Sequence, residues 1–359
     1  MVKITAVGDM FFGDYTISLG FGMRSSIHKF GYEHHLKYVN EYLNDSDIVF
    51  GNLETILSDY GKDDNNIKSI ICRGKNEFVN ILKYGGFNAI NVANNHILQH
   101  GIDAFLDTIN VLKIYNIDTV GLKGSDNYEC RPIIKIVHGK RIGILGYSFL
   151  NENFQKGNLL YATGKTEDVI KDIIKLKKET DYVIVSCHWG IEYIDKPSQN
   201  IRRIARKMVD SGASLIFGHH PHVVQGIEKY NNSIIFYSLG NFLFDFLWNR
   251  RTRESVIAKI CIDNDNITYN LLPFIINNEY QIIPMEANES NKYKEYVEGL
   301  MEDTEKDYIL DKEESYYKYY VDAYKLYMIN QAKKTFYMLE NIYRLDKIFI
   351  KYILKKLIS

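Results

Sequence analysis

Phe217-Gly218-His219-His220-Pro221-His222-Val223-Val224-Gln225 is the stretch from which the fold can be read. Three imidazoles follow directly on the apolar run Ala213-Ser214-Leu215-Ile216-Phe217. The run predicts a buried strand, and so places the histidines on the loop at its C-terminal end. In open α/β sheets, ligands bind outside the carboxyl ends of the strands. His220 and His222, one residue apart, can both point at one ion once the loop turns, and neutral imidazole is a common metal ligand. A single loop histidine is ordinarily solvated and idle. Three together at a strand end point to a metal.

Working outward, the same pattern recurs. Residues 2–7 predict a strand ending at Gly8-Asp9, and residues 47–50 run into Gly51-Asn52-Leu53-Glu54. Residues 87–92 predict a third strand, ending in Ala93-Asn94-Asn95-His96, where an amide oxygen suited to a metal stands beside a candidate proton donor. Residues 182–187 lead into His188-Trp189-Gly190-Ile191-Glu192-Tyr193, and residues 233–237 into Ser238-Leu239-Gly240-Asn241-Phe242. Asp9, Glu54, Asn95, His96, His188, His220 and His222 therefore each follow a predicted strand. A parallel or mixed sheet would bring them to one edge. Carboxylate, amide and imidazole together suit a two-metal hydrolase centre, which lowers the pKa of a water and clamps the oxygens of the attacked group.

The segments between alternate as an α/β chain does. Helices are predicted over 33–44, 77–84, 101–115, 166–179 and 199–211, and a strand over 117–120. A hairpin is predicted from 133–137 and 141–147 around His138-Gly139-Lys140, with His138 as a turn residue. Residues 58–70 read as a polar surface loop. Arg202, Arg203, Arg206 and Lys207 read as a solvated helix face. Strands continue over 255–262, 267–272 and 280–284. From about 289 the pattern changes to two or three helices, rich in Tyr, Lys and Glu with one glycine. The division is thus a domain over 1–288 and a helical extension over 289–359.

Bulk properties exclude several classes. A formal net charge of -1 argues against a nucleic-acid binder. The four cysteines, Cys72, Cys130, Cys187 and Cys261, form no C-x-x-C pair, so neither a zinc knuckle nor a disulfide framework is expected. No leader precedes the first strand and no long apolar run occurs, so the chain as given reads as cytoplasmic. Arg24, Arg73, Arg250, Arg251 and Arg253 fall in predicted loops where they could hold an anionic substrate, Arg73 foremost.

Gly8-Asp9, Asn52-Leu53-Glu54, Ala93-Asn94-Asn95-His96, His188-Trp189-Gly190 with Glu192-Tyr193, Gly218-His219-His220-Pro221-His222 and Ser238-Leu239-Gly240-Asn241-Phe242 occur in one order. In that order they resemble the CapA (PgsA-type) poly-γ-glutamate capsule biosynthesis proteins of the calcineurin-like metallophosphatase superfamily. The resemblance covers about residues 1–285. It implies a four-layer α/β/β/α sandwich with the motif loops along one edge. It also implies one or two divalent ions, of Mn, Fe or Zn, held by Asp9, Glu54, Asn95, His188, His220 and His222. His96 matches the proton-donating histidine, and Asp9 a catalytic position; Glu192 and Asn241, with Arg73, are candidates for the substrate. Three departures stand out. Met10-Phe11 follows Asp9, where the superfamily has D-x-H; Glu54 replaces a bridging Asp; and Gln99 replaces an acid beside the proton-donating histidine.

The first functional reading is a metal-dependent hydrolase of a phosphoester or of a peptide or polyglutamate amide. The second is a non-hydrolytic accessory subunit of a polymer synthesis complex, docking through the C-terminal helices on a protein partner or a second copy. The third is metal-independent acid–base modification of a peptide, as in an epimerase. The partner expected is an anionic small molecule, peptide or polyglutamate.

Overall fold

The computed structural model describes residues 1–359 apart from 126, 127, 156, 158, 265, 307–311 and 359. In chain order the first strands are β1 (Val2–Met10), β2 (Ile48–Leu53), β3 (Ile56–Leu57), β4 (Arg73–Gly74), β5 (Ala89–Asn91) and β6 (Asp118–Val120). Then come β7 (Ile133–Val137), β8 (Lys140–Ser148), β9 (Tyr182–His188), β10 (Leu215–His219), β11 (Ile227–Tyr230) and β12 (Ser233–Phe236). The last are β13 (Asn241–Leu243), β14 (Glu254–Asp263), β15 (Asn266–Ile276) and β16 (Ile282–Pro284). One sheet has the order β16-β15-β14-β1-β2-β5-β6, with β13 paired to β1. The other has the order β11-β12-β10-β9-β8-β7. β1, β2, β5 and β6 run parallel, as do β8, β9, β10 and β12, while β14, β15 and β16 are antiparallel.

The four layers follow from alternation along the strands. Ile142 and Ile144, Ile184, Leu215 and Phe217, and Ile234 and Phe236 turn inward, to pack with Ile4, Ala6, Ile48 and Phe50 of the first sheet. Their neighbours Leu145, Val183, Val185, Ile216 and Ile235 turn outward onto the helices Thr166–Lys177 and Gln199–Asp210. On the first sheet's outer face, Val7, Val49 and Ile90 meet the helices Met23–Phe30, Val79–Tyr84 and Ile102–Ile114. The result is the α/β/β/α sandwich.

Register sets the functional edge. Asp9 pairs with Asn52 on one side and Asn241 on the other, and Asn52 pairs in turn with Asn91. Across the sandwich, His188 pairs with His219. Gly8 permits the approach of β13: a Cβ there would lie 1.9 Å from the Gly240 carbonyl oxygen, whose partner is the Asp9 amide at 2.9 Å. Gly218 has the same function in β10, where a Cβ would lie 1.9 Å from the Tyr237 oxygen.

Four local expectations are corrected. β1 continues through Asp9 to Met10, because β13 extends its ladder. The helix expected over 33–44 is two short ones, Glu33–Leu36 and Asn40–Asn44. The loop over 58–70 ends in a helix, Ile67–Ile70, whose isoleucines are buried. Arg202 is not solvated: it is 1% exposed, and its Nη2 lies 3.7 Å from Glu228, which also binds Arg206.

Beyond β16 come the helices Ala287–Lys306, Lys312–Glu340 and Lys347–Ile358. The first adds Val297 to the core between the sheets. The second crosses the loops beyond the strand ends: buried Asn330 accepts from Asn249 at 2.6 Å, and the Tyr319 hydroxyl donates to the Lys196 carbonyl at 3.3 Å. The third adds Phe349 to a cluster with Leu19, Phe21, Ile67 and Ile70. Among the described residues, no helix is long and apolar enough to cross a membrane.

Candidate metal centre

Asp9 and Glu54 are both fully buried and differ sharply in their surroundings. Asp9 Oδ1 accepts from Asn52 Nδ2 at 2.8 Å, and Oδ2 from the His220 backbone amide at 3.0 Å. Burial pushes its carboxyl up, but His219, His222 and His188 outweigh that and hold it below the usual carboxylate range. Neither oxygen of Glu54 has a hydrogen-bond partner among the described residues. Its Oε1 lies 3.5 Å from His188 Nε2 and 3.9 Å from His222 Nε2. Burial first, then the charges of Asp9 and Glu192, push the Glu54 carboxyl well up. A buried carboxylate without a partner is costly, and a cation is the ligand that would offset it.

Two of the imidazoles, His188 and His220, are held in their neutral form. Burial, then neighbouring His220, drives His188 well below the usual histidine range, and burial lowers His220 to about 4. Ligand atoms of Asp9, Glu54 and His188 lie within 4.8 Å of one another, as do those of Glu54, His220 and His222. Glu54 belongs to both sets. Asn95 joins them, its Oδ1 2.8 Å from His188 Nε2.

The backbone is strained to make this arrangement. His220 has φ 97° and His222 φ 58°, left-handed values that non-glycine residues seldom adopt outside functional sites. These two turns let residues separated by Pro221 aim at one point. Buried His219, which precedes them in β10, has no hydrogen-bond partner on either ring nitrogen among the described residues, and its Nδ1 lies 3.4 Å from Asp9 Oδ1.

Two asparagines fix the ligands. Asn241 Nδ2 donates to the Thr252 carbonyl at 2.9 Å, which turns Oδ1 towards His222 Nδ1 at 3.0 Å. His222 must then carry its proton on Nδ1, leaving the Nε2 lone pair for an ion. Asn241, expected from sequence at the substrate, thus orients His222. Asn52 was missed by sequence reasoning. It donates to Asp9, lies 3.3 Å from His188 Nδ1, and accepts from Asn91 at 2.9 Å and Asn94 at 3.4 Å. Its signal was present: Gly51-Asn52 repeats Gly8-Asp9 on the neighbouring strand. His219 was also missed, being treated as part of the motif but not as a group facing Asp9.

His96 stands half-buried at the rim, its Nδ1 3.1 Å from Gln99 Oε1 and its ring beside Phe154 at 5.9 Å. Burial lowers its pKa, and the Gln99 contact opposes the shift. Glu192 also belongs to this rim: burial raises its carboxyl, but His222 and His220 bring it below the usual value. Phe244 and Phe246 wall the centre, with ring centroids 4.7 and 4.9 Å from His222, and Trp248 extends the wall 4.3 Å beyond Phe246.

The expected anion-holding arginines are otherwise occupied. Arg73, buried, donates from Nη1 to the carbonyls of Ser58 and Tyr60 and so clamps a loop. Arg24 binds the Ile70 carbonyl and Arg253 the Ile276 carbonyl. Arg250 pairs with Glu254 and Glu289, and Arg251 with Asp195.

The profile of the bacterial capsule synthesis protein family PGA_cap matches residues 3–246. The capsule biosynthesis protein CapA of Bacillus anthracis is 34% identical over 291 residues, covering 77% of this chain and 67% of that protein. The PGA biosynthesis protein CapA of Bacillus subtilis is 35% identical over 266 residues, covering 72% and 67%. Among solved structures, 5'-nucleotidase from Candida albicans is similar over 86% of this chain and 58% of that one, with 14% identity and a TM-score of 0.44.

Proposed function

This chain belongs to the bacterial capsule synthesis protein family PGA_cap, and from that premise we propose that it is a metal-dependent hydrolase of a phosphoester or a polyglutamate amide. The single observation that carries the reading is Glu54, whose two buried oxygens lack hydrogen-bond partners among the described residues and whose Oε1 lies near both His188 and His222. Asp9, Glu54, Asn95, His188, His220 and His222 would hold one or two divalent ions, and their mixed oxygen and nitrogen donors suit Mn, Fe or Zn. When bound, the ions would supply Lewis acidity and a water of lowered pKa.

The chain's own residues do the rest. Asn241 keeps the His222 tautomer that presents Nε2, and Asn52 keeps Asp9 turned to the centre. His96, anchored through Nδ1 by Gln99, exchanges a proton with the leaving group at Nε2. Phe244, Phe246 and Trp248 restrict water on one side. The relatives' parts in capsule and PGA biosynthesis support a substrate among capsule polymers or their precursors.

The test is turnover of p-nitrophenyl phosphoesters and of γ-glutamyl amides by protein reconstituted separately with Mn, Fe and Zn. The expected result is turnover of one class, abolished by a chelator and restored by metal. Turnover that survives chelation would overturn the proposal in favour of acid–base chemistry, and no turnover of either class would favour an accessory subunit.

A further inference from the structure

Arg250 and Arg251 are paired with carboxylates and Arg24 and Arg73 donate to backbone carbonyls, and the aromatic wall of the centre meets a different cation. Lys334, on the helix Lys312–Glu340, lies beyond the 3–246 segment matched by the family. Its Nζ sits 4.2 Å from the Tyr15 ring centroid and 5.5 Å from that of Trp248, two faces that attract a cation. Trp248 is in turn linked through Phe246 to His222. Glu192 interacts electrostatically with Lys334 as well as with His220 and His222. Lys334 is half-buried, and burial lowers its pKa. Trp248 also lines a cavity of about 450 Å³, with Arg253, Lys333, Tyr337, Glu340 and Arg344. Three cations line it with one carboxylate, each keeping a neutral partner: Arg253 the Ile276 carbonyl, Lys333 Asn249 Oδ1 and Arg344 Asn341 Oδ1. The helix thus lays a positive path from the mouth of the centre to this cavity.

We infer that the C-terminal helix gives the site its anion-holding groups: Lys334 at the mouth and the basic cavity lined by Trp248 receive a chain carrying repeated anionic groups. The inference rests on the hydrolase reading for the location of the reacting bond, but binding can be measured without turnover. A single anion engages only Lys334 and the centre. A longer chain reaches Arg344 and Lys333 as well, so affinity rises with chain length.

The experiment is calorimetric titration of the full chain, its metal content recorded, with γ-linked glutamate oligomers of increasing length and, separately, with tripolyphosphate. The wild type is expected to bind one of the two more tightly, which identifies the anion as carboxylate or phosphate. Lys334→Ala is expected to weaken that binding about tenfold, with Lys334→Arg restoring most of it. Arg344→Ala is expected to weaken only the longer chains. Lys318→Ala, which removes one charge elsewhere on the same helix, is expected to leave binding unchanged. Equal binding by wild type and Lys334→Ala, equal weakening by Lys318→Ala, or no binding of either anion by metal-bearing wild type would overturn the inference. Failure of the hydrolase reading would look different: absent metal or turnover, with Lys334-dependent anion binding intact.

Discussion

The rim of the centre and the helix that crosses it are built on different principles. The rim draws on β1, β2, β5, β9 and β10, and parallel pairing fixes how their ends align. Asp9 meets Asn52 and Asn241 because the backbone ladder leaves them no other place. The helix Lys312–Glu340 is held instead by scattered side-chain contacts, Asn330 with Asn249 and Tyr337 with Trp248 and Phe21. The difference teaches where precision and where adaptability reside. Ligands need placement to a fraction of an ångström, and strands give it. A substrate path tolerates looser placement and can be supplied by an added segment.

The largest expected effect breaks the rim's chemistry and leaves the cover intact. His96→Ala should lower kcat by about 10²–10⁴-fold at unchanged metal content, as read from steady-state kinetics beside elemental analysis. Next, Asn241→Ala should weaken metal binding by about 10–100-fold, because His222 loses the partner that fixes its tautomer. Competition with a chelator of known affinity would measure it, and unchanged affinity would remove Asn241 from the orienting role.

A smaller change tests the cover. Asn330→Ala leaves buried Asn249 Nδ2 without its acceptor and should destabilise the protein by about 1–3 kcal/mol in denaturant titration. Metal content should not change. If the metal is lost too, rim and cover are not separable as described.

The smallest effect lies outside both regions. His35 is buried, its Nδ1 donates to the Tyr280 carbonyl at 3.1 Å, and burial lowers its pKa to about 4. The unfolded chain binds this proton near pH 6.5 and the folded chain only near pH 4. The contribution is therefore fully present above about pH 6.5 and is lost as pH falls towards 4. His35→Phe should flatten that limb of a plot of Tm against pH.

Much of the rim was legible in sequence because polar clusters at strand ends are local signals. His220 and His222 could be read from one loop, and Asp9 and Glu54 from strand termini. Asn52 was harder, since its part depends on lying opposite Asp9 in register, a fact of pairing between strands. The loop clamp made by Arg73 was not legible, because a loop arginine carries no local mark of the carbonyls it will meet, here Ser58 and Tyr60. Arg202 was misread for a related reason: its partner Glu228 comes from β11, well beyond the helix. The C-terminal helices were visible as helices, but their course across the loops depends on contacts such as Asn249 with Asn330, 81 residues apart.

Elemental analysis of the wild type and of Glu54→Gln, purified without chelators or a histidine tag, tests the central claim most directly. Glu54 belongs to both ligand sets, and the substitution keeps its shape while removing its charge. The account predicts one or two equivalents of Mn, Fe or Zn in the wild type, and their loss in Glu54→Gln with the fold retained. A wild type that takes up none of these ions, or a Glu54→Gln protein that keeps them all, would contradict it.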